Sequence, residues 1–451
     1  MPVPPSVPLP KVAQTLRFLV RPISFLERWR RELGETFAAS LYGPGDVVFV
    51  SGAEDLKALF GRDRQNTIAP GRNIVLRPLL GEGSLLRQEG DEHLRRRKLM
   101  LPPFHGERMR AYEELVTEAT ESAASKWREG EPFALHPTMQ AITLEVILRA
   151  VFGVDVSQAK RHDELSKGLT EILGATGSPR AVGLLFPVVR KAPPYRRLTR
   201  LIDRVDELLA AQIAERRSDP DLAERDDILS MLVQARFDDG TEMSDAEVRD
   251  QLMTLLLAGH ETTATALAWA FDLLFRHPDA FERLSEEVRS GDGHEYLDAV
   301  ISETLRVRPV VPFTGRELRE RTVLDGFELE PGQVVLAAIW LTHTRPDLYP
   351  EPFAFRPERF LDGAVETYSW VPFGGGTRRC IGAAFAQMEM RVALGAIVRS
   401  CDVRPATDAA ERPIRRNVTM SPAQGTPAVL ARRVDGPAPV GASALRTSAA
   451  V

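Results

Sequence analysis

Cys380 lies near the end of a run, Phe373-Gly374-Gly375-Gly376-Thr377-Arg378-Arg379-Cys380-Ile381-Gly382, whose composition suits the placing of a reactive sulfur. Consecutive glycines let the backbone turn tightly and approach a flat ligand closely. Residues 382–400 read as a helix, so the sulfur precedes a helix N-terminus, whose free N–H groups favour a thiolate and lower its pKa. Arg378 adds positive charge. A soft anion so placed suits iron. The only other cysteine, Cys401, has no such setting and reads as an inert thiol.

Other spacings could carry chemistry. In Ala258-Gly259-His260-Glu261-Thr262-Thr263, Thr262 stands four residues after Ala258, so its hydroxyl can engage that carbonyl and loosen a helix locally. Gly259 removes bulk beside the distortion. Glu303 and Arg306 share one helix face at i and i+3, as His93 and Arg97 do at i and i+4. Pairs of this kind are common on exposed helices and carry little alone.

The elements that must position these groups are mostly helical. Residues 90–310 hold several period-3.6 patterns, and strand runs are short: 46–51, and 322–340 with turns at Asp325-Gly326 and Pro331-Gly332. The longest helix starts at Ser244, where Ser244 and Glu247 form a capping box, and runs to about His277, roughly 50 Å. Apolar on every side from Leu252 to Ala258, its middle should be buried; His260, Glu261 and Asp272 argue against a membrane span. Leu16, Leu19, Val20, Ile23 and Leu26 share helical spacing and read as a surface helix packed onto the body, with a helix lying on a membrane as the alternative. The expected fold is mainly α with small β-sheets (α+β): a Pro-rich segment 1–10, one large domain 11–435 built around the long central helix, and a flexible tail 436–451.

Bulk properties narrow the class. The 451 residues carry a net charge of −5, which does not suggest nucleic-acid binding. Two cysteines fit a reducing cytoplasm, and the N-terminus resembles neither a secretory signal nor a transmembrane anchor.

Phe373, Gly376, Arg378, Cys380 and Gly382 match F-x-x-G-x-R-x-C-x-G, and in this the chain resembles the cytochrome P450 family over about residues 10–432. The resemblance implies haem b (iron protoporphyrin IX) with Cys380 as the metal ligand and Phe373, Arg378 and Gly382 around the cofactor. It assigns His93, Arg97 and Arg316 to the haem propionates, where Arg-to-carboxylate bonds are charge-assisted. Glu303 and Arg306, with Arg359 of Phe355-Arg356-Pro357-Glu358-Arg359-Phe360, become a buried structural network. Residues 258–263 are similar to the family's oxygen-activation motif, making Thr262 and Glu261 catalytic, the hydroxyl near the distal oxygen and the carboxylate linked to bulk water. His260 reads as a packing residue. Relatives that use peroxide, or act as isomerases, tend to lack the acid–alcohol pair, as a haem sensor would have no need of it. Both residues are present here, so dioxygen with two electrons is the expected regime.

The implied activity is a monooxygenase inserting one oxygen atom into an apolar substrate, by hydroxylation or epoxidation of a fatty acid, terpenoid, steroid or secondary metabolite. No room follows for a flavin or iron–sulfur module. Electrons are therefore expected from NAD(P)H through a reductase and a separate ferredoxin or flavodoxin, docking near Arg95, Arg96, Lys98 and Arg379 on a monomer. The pocket should draw on residues 74–86, 169–189 (with Leu184, Leu185 and Phe186), 255–258, 310–314 and 418–420, and so on Leu255, Ala258, Val311, Phe313 and Thr419.

Overall fold

A computed structural model describes residues 2–63, 67–68, 79–104, 106, 108–153, 159–176, 193–291, 293–361, 365–416 and 418–434. The expected pocket stretches 74–78 and 177–189, with Leu184, Leu185 and Phe186, and the tail 436–451 lie outside the described residues.

The central helix spans Asp245–Arg276. The Glu247 N–H donates to Ser244 Oγ at 3.3 Å and the Ser244 N–H to Glu247 Oε2 at 3.0 Å, so the capping box closes. Pro278, which cannot donate an N–H to the helix, opens the next one, Pro278–Ser290. Residues 250–256 and 263–274 are buried, against the helices Leu135–Phe152 and Ala383–Ser400. Leu256, Leu267 and Phe271 share one apolar core with Ile147, Val151, Met388 and Leu394, each contributing about 1.5–3 kcal/mol by leaving water. The enclosure expected through Ala258 is interrupted: Leu257 is half-buried and Ala258 exposed.

Five short strands form the main sheet in the order Phe37–Leu41, Gly45–Val50, Val334–Ala337, Thr314–Leu318, Thr67–Ile68. Gly45–Val50 and Val334–Ala337 pair in parallel, and Phe37 stands opposite Phe49 with ring centroids 5.0 Å apart. Asp325 and Gly326, both at positive φ, turn Thr322–Leu324 back onto Phe327–Leu329 as expected. The strand run does not reach Trp340. Its ladder ends with the Ala338 N–H donating to Val50 O, and Ile339–His343 turns helical under the sheet.

The N-terminal helix Lys11–Val20 corrects a second expectation. Ile23 and Leu26 are buried, but Leu16, Leu19 and Val20 face outward, with Gln14 and Phe18 turned inward instead. Gln14 decides this: Nε2 donates to Leu9 O at 2.7 Å, and Oε1 accepts from the Ser40 N–H at 2.8 Å. A buried amide satisfied on both ends holds the helix in one rotation.

Glu389, on the inner face of Ala383–Ser400, is fully buried against Thr263 of the central helix, and its Oε1 has no hydrogen-bond partner. Burial pushes its carboxyl up to about 8, the Thr263 hydroxyl pulling weakly the other way. The folded pKa thus exceeds the ordinary value of 4.5, folding takes up a proton between the two, and stability falls as pH rises through that window. Glu389→Gln should remove roughly 3–5 kcal/mol of that pH dependence. Urea unfolding at pH 5 and pH 8 measures it, and an unchanged difference between the two would refute the assignment.

Candidate active site

The cysteine loop ends at the N-terminus of Ala383–Ser400, with Gly382 as N-cap. The Cys380 N–H donates to Phe373 O at 2.9 Å, closing the turn, and Phe373 packs edge-on against Trp370. The loop glycines approach protein: a Cβ on Gly375 would strike the Phe60 ring, and one on Gly376, at φ +67°, the Asp63 carboxylate. Contrary to the expected depression, burial raises the thiol pKa, outweighing the Gly382 N–H and the charges of Arg97 and Arg379. Cys380 nevertheless keeps accessible surface.

Around it stand His93, Arg97, Arg378 and Arg316. His93 is buried, with Nδ1 3.1 Å from Leu85 O and Nε2 3.3 Å from Thr377 O, and burial lowers its pKa to about 4, so the ring is neutral. Arg97 is half-buried and has no hydrogen bond or ion pair among the described residues, though its charge acts on Cys380. Arg378 donates to Gln88 O, and burial with the Arg316 charge lowers its pKa to about 10. Arg316 is already engaged: Nε and Nη2 donate to Asp63 at 2.6 and 2.9 Å, and Nη2 to Gly375 O at 3.0 Å. Asp63 also accepts from the Thr377 N–H at 3.1 Å. This pair pins the cysteine loop to the sheet, and a propionate at Arg316 would have to share it.

On the central helix the Thr262 hydroxyl donates to Ala258 O at 2.8 Å, the bond the spacing implied. The neighbouring Thr263–Glu389 contact holds this turn against the cysteine helix. The Glu261 carboxylate turns elsewhere: Gln140 Nε2 donates to Oε2 at 2.6 Å, and His136 Nε2 lies 3.7 Å from Oε1. Burial raises the Glu261 pKa against the lowering by Gln140 and Arg416. Glu261 lines a cavity of about 850 Å³ with Lys126, Gln140, Glu145, His260 and Arg416. His260 is buried with its Nδ1 unpartnered among the described residues.

The model of the family described as Cytochrome P450 matches residues 2–427. The chain belongs to the cytochrome P450 family. It is 40% identical over 430 residues to cytochrome P450 135B1 of Mycobacterium tuberculosis, covering 94% of this chain and 90% of that protein. Cytochrome P450 137 of the same organism is 38% identical over 437 residues, with the same coverage. The solved structure of retinoic-acid-bound cyanobacterial CYP120A1 superposes with a TM-score of 0.83 at 27% identity, covering 96% of this chain and all of that one. The protein is accordingly a haem-thiolate monooxygenase that draws electrons from a partner.

The remaining candidates of this cytochrome P450 divide by what surrounds them. Arg306 and Glu303 are fully buried, joined at 2.6 and 2.7 Å, and Arg306 also donates to the carbonyls of His343, Pro352 and Ala354. Arg359 Nε lies 3.4 Å from Glu303 Oε1, so the three form one network. In the expected pocket, the Met420 N–H donates to Val310 O at 2.8 Å, bringing the segments of Val311 and Thr419 together. Leu255 is buried, and Val311 and Phe313 are half-buried. The Thr419 hydroxyl donates to Arg416 O at 2.8 Å.

The four basic residues expected near the partner surface differ in what they already meet. Arg95 pairs with Asp239 and lies over the Phe237 ring, Lys98 pairs with Asp238, and Arg96, only 12% exposed, ties Glu92 to Glu247 at the head of the central helix. Arg379 alone of the four is exposed without an ion pair. Sequence spacing had no means of detecting the neutralising acids, Asp63, Gln140 or Glu389, because each meets its partner only through the fold.

Proposed function

We propose that the chain hydroxylates or epoxidises an apolar substrate at haem b, with Cys380 as the iron ligand and His93, Arg97, Arg378 and Arg316 on the propionate side. Electrons would come from NAD(P)H through a reductase and a ferredoxin or flavodoxin, in the cytoplasm. The observation that carries this reading is Cys380: an accessible sulfur at a helix N-terminus, beside Arg97, which has no hydrogen bond or ion pair among the described residues. These residues fit haem, an anionic ligand being set below and cations set for carboxylates. The retinoic acid held by the cyanobacterial relative supports an apolar, lipid-like substrate for this chain.

When bound, haem supplies the iron at which dioxygen is reduced and one atom transferred. The chain's own residues govern protons. Thr262, bonded to Ala258 O within the continuous central helix, presents its hydroxyl beside the exposed Ala258. The Glu261 carboxyl lies on the cavity side, where Gln140 restrains it. Reaching Thr262 requires the carboxyl to leave Gln140 and rotate, so water on one side and the reacting centre on the other are served in turn. Lys98, whose partner Asp238 is even more exposed than itself, and Arg379 can yield to an acidic redox protein. Arg96 is structural.

The test is the reduced, carbon-monoxide-bound absorption spectrum. A thiolate ligand gives a red-shifted Soret band, which Cys380→Ser should abolish while Cys401→Ser preserves it. A histidine-type spectrum in the parent protein would refute the ligand assignment.

A further inference from the structure

The rotation that Gln14 imposes on Lys11–Val20 leaves an apolar stripe in solvent. Val12, Leu16, Leu19 and Val20 are 54%, 57%, 39% and 68% exposed. On a helix of 100° per residue these four occupy one continuous sector. Lys11 stands at one edge of it and Arg17 at the other, and Arg21 follows at the helix end, all exposed. Neither Arg17 nor Arg21 pairs with a carboxylate among the described residues. Tyr42 extends the stripe, 60% exposed, with its N–H bonded to Thr15 Oγ1 and Lys11 Nζ 5.2 Å from its ring centroid.

Charge selects the occupant. Residues 11–33 carry Lys11, Arg17, Arg21, Arg28, Arg30 and Arg31 against Glu27 and Glu32, in a chain whose net charge is −5. A local basic excess around an exposed apolar stripe is the pattern of a helix lying in a bilayer interface, with Lys and Arg stems reaching up to anionic headgroups. No helix among the described residues is long and apolar enough to cross a membrane. The inner side of the same helix packs Phe18 on Phe313, ring centroids 5.0 Å apart, so the helix, on its face away from the stripe, adjoins a segment of the expected substrate pocket.

We infer that Lys11–Val20 attaches this P450 peripherally to an anionic bilayer surface, through Val12, Leu16, Leu19 and Val20 with Lys11, Arg17 and Arg21 at the headgroups. The inference rests on the helix and not on the substrate reading.

The full chain with haem bound should sediment with phosphatidylcholine vesicles containing phosphatidylglycerol. It should bind pure phosphatidylcholine vesicles more weakly, and salt should reduce the difference. Leu16→Ser with Val20→Ser should lower the bound fraction about tenfold, and Arg17→Gln with Arg21→Gln should remove the preference for phosphatidylglycerol. An unchanged Soret spectrum shows that the variants fold. Absence of binding to both vesicles, or binding that the Leu16/Val20 variant retains, overturns the inference. So does a dimer in light scattering that this variant dissociates, which would make a second copy the occupant.

Discussion

Arg306→Met is expected to destabilise the protein by about 3–5 kcal/mol, the effect of leaving a buried charge without its partner. Glu303 is fully buried and would keep only the Arg356 N–H, at 2.9 Å, and the longer contact to Arg359. The carbonyls of His343, Pro352 and Ala354 would lose their donor together, and these belong to the segments running towards the cysteine loop. Tyr349, whose ring lies 4.7 Å from the guanidinium carbon, would lose a face. The double variant Glu303→Leu/Arg306→Met should recover part of the loss, because the uncompensated carboxylate is then absent. Thermal melts and retained haem per chain measure both. A single variant as stable as the parent would refute the network.

Glu261→Gln should slow oxygen insertion by roughly 10²–10⁴-fold while substrate-induced spectral shifts stay intact, the loss expected when a positioned proton donor is removed. Thr262→Val should divert reducing equivalents from product, since the hydroxyl bonded to Ala258 O is then absent. Gln140→Leu separates the proton route from packing. It frees the Glu261 carboxyl from its 2.6 Å bond and takes away the Gln140 contribution that lowers its pKa, so the alkaline limb of the pH–rate profile, set by the acid that must stay protonated, should move to higher pH. An unmoved profile, with unchanged product yield in Glu261→Gln, would show that the carboxyl carries no proton to the reaction.

The sequence by itself determined the features whose geometry is local. The Ser244–Glu247 capping box, the Thr262–Ala258 bond, the Glu303–Arg306 pair and the position of Cys380 before a helix all follow from spacings of one helical turn or less. Sequence periodicity also led to the mainly helical architecture, because the long helix is apolar enough to require burial. What only tertiary structure decided involves partners far apart along the chain. Asp63 meets Arg316 across 253 residues and Gln140 meets Glu261 across 121. Such pairings have no periodic signature. The same is true of the acids that pair with Arg95, Arg96 and Lys98. The cysteine shows the division most clearly. Composition and spacing indicated its helix N-terminus and nearby cations, but burial, a property of the folded whole, outweighs both and raises the free thiol's pKa. The N-terminal helix was legible as amphipathic, yet its periodicity could not say which face turns inward. Gln14, bonding both Leu9 and Ser40, settled that by satisfying a buried amide at the expense of leaving four apolar side chains in solvent.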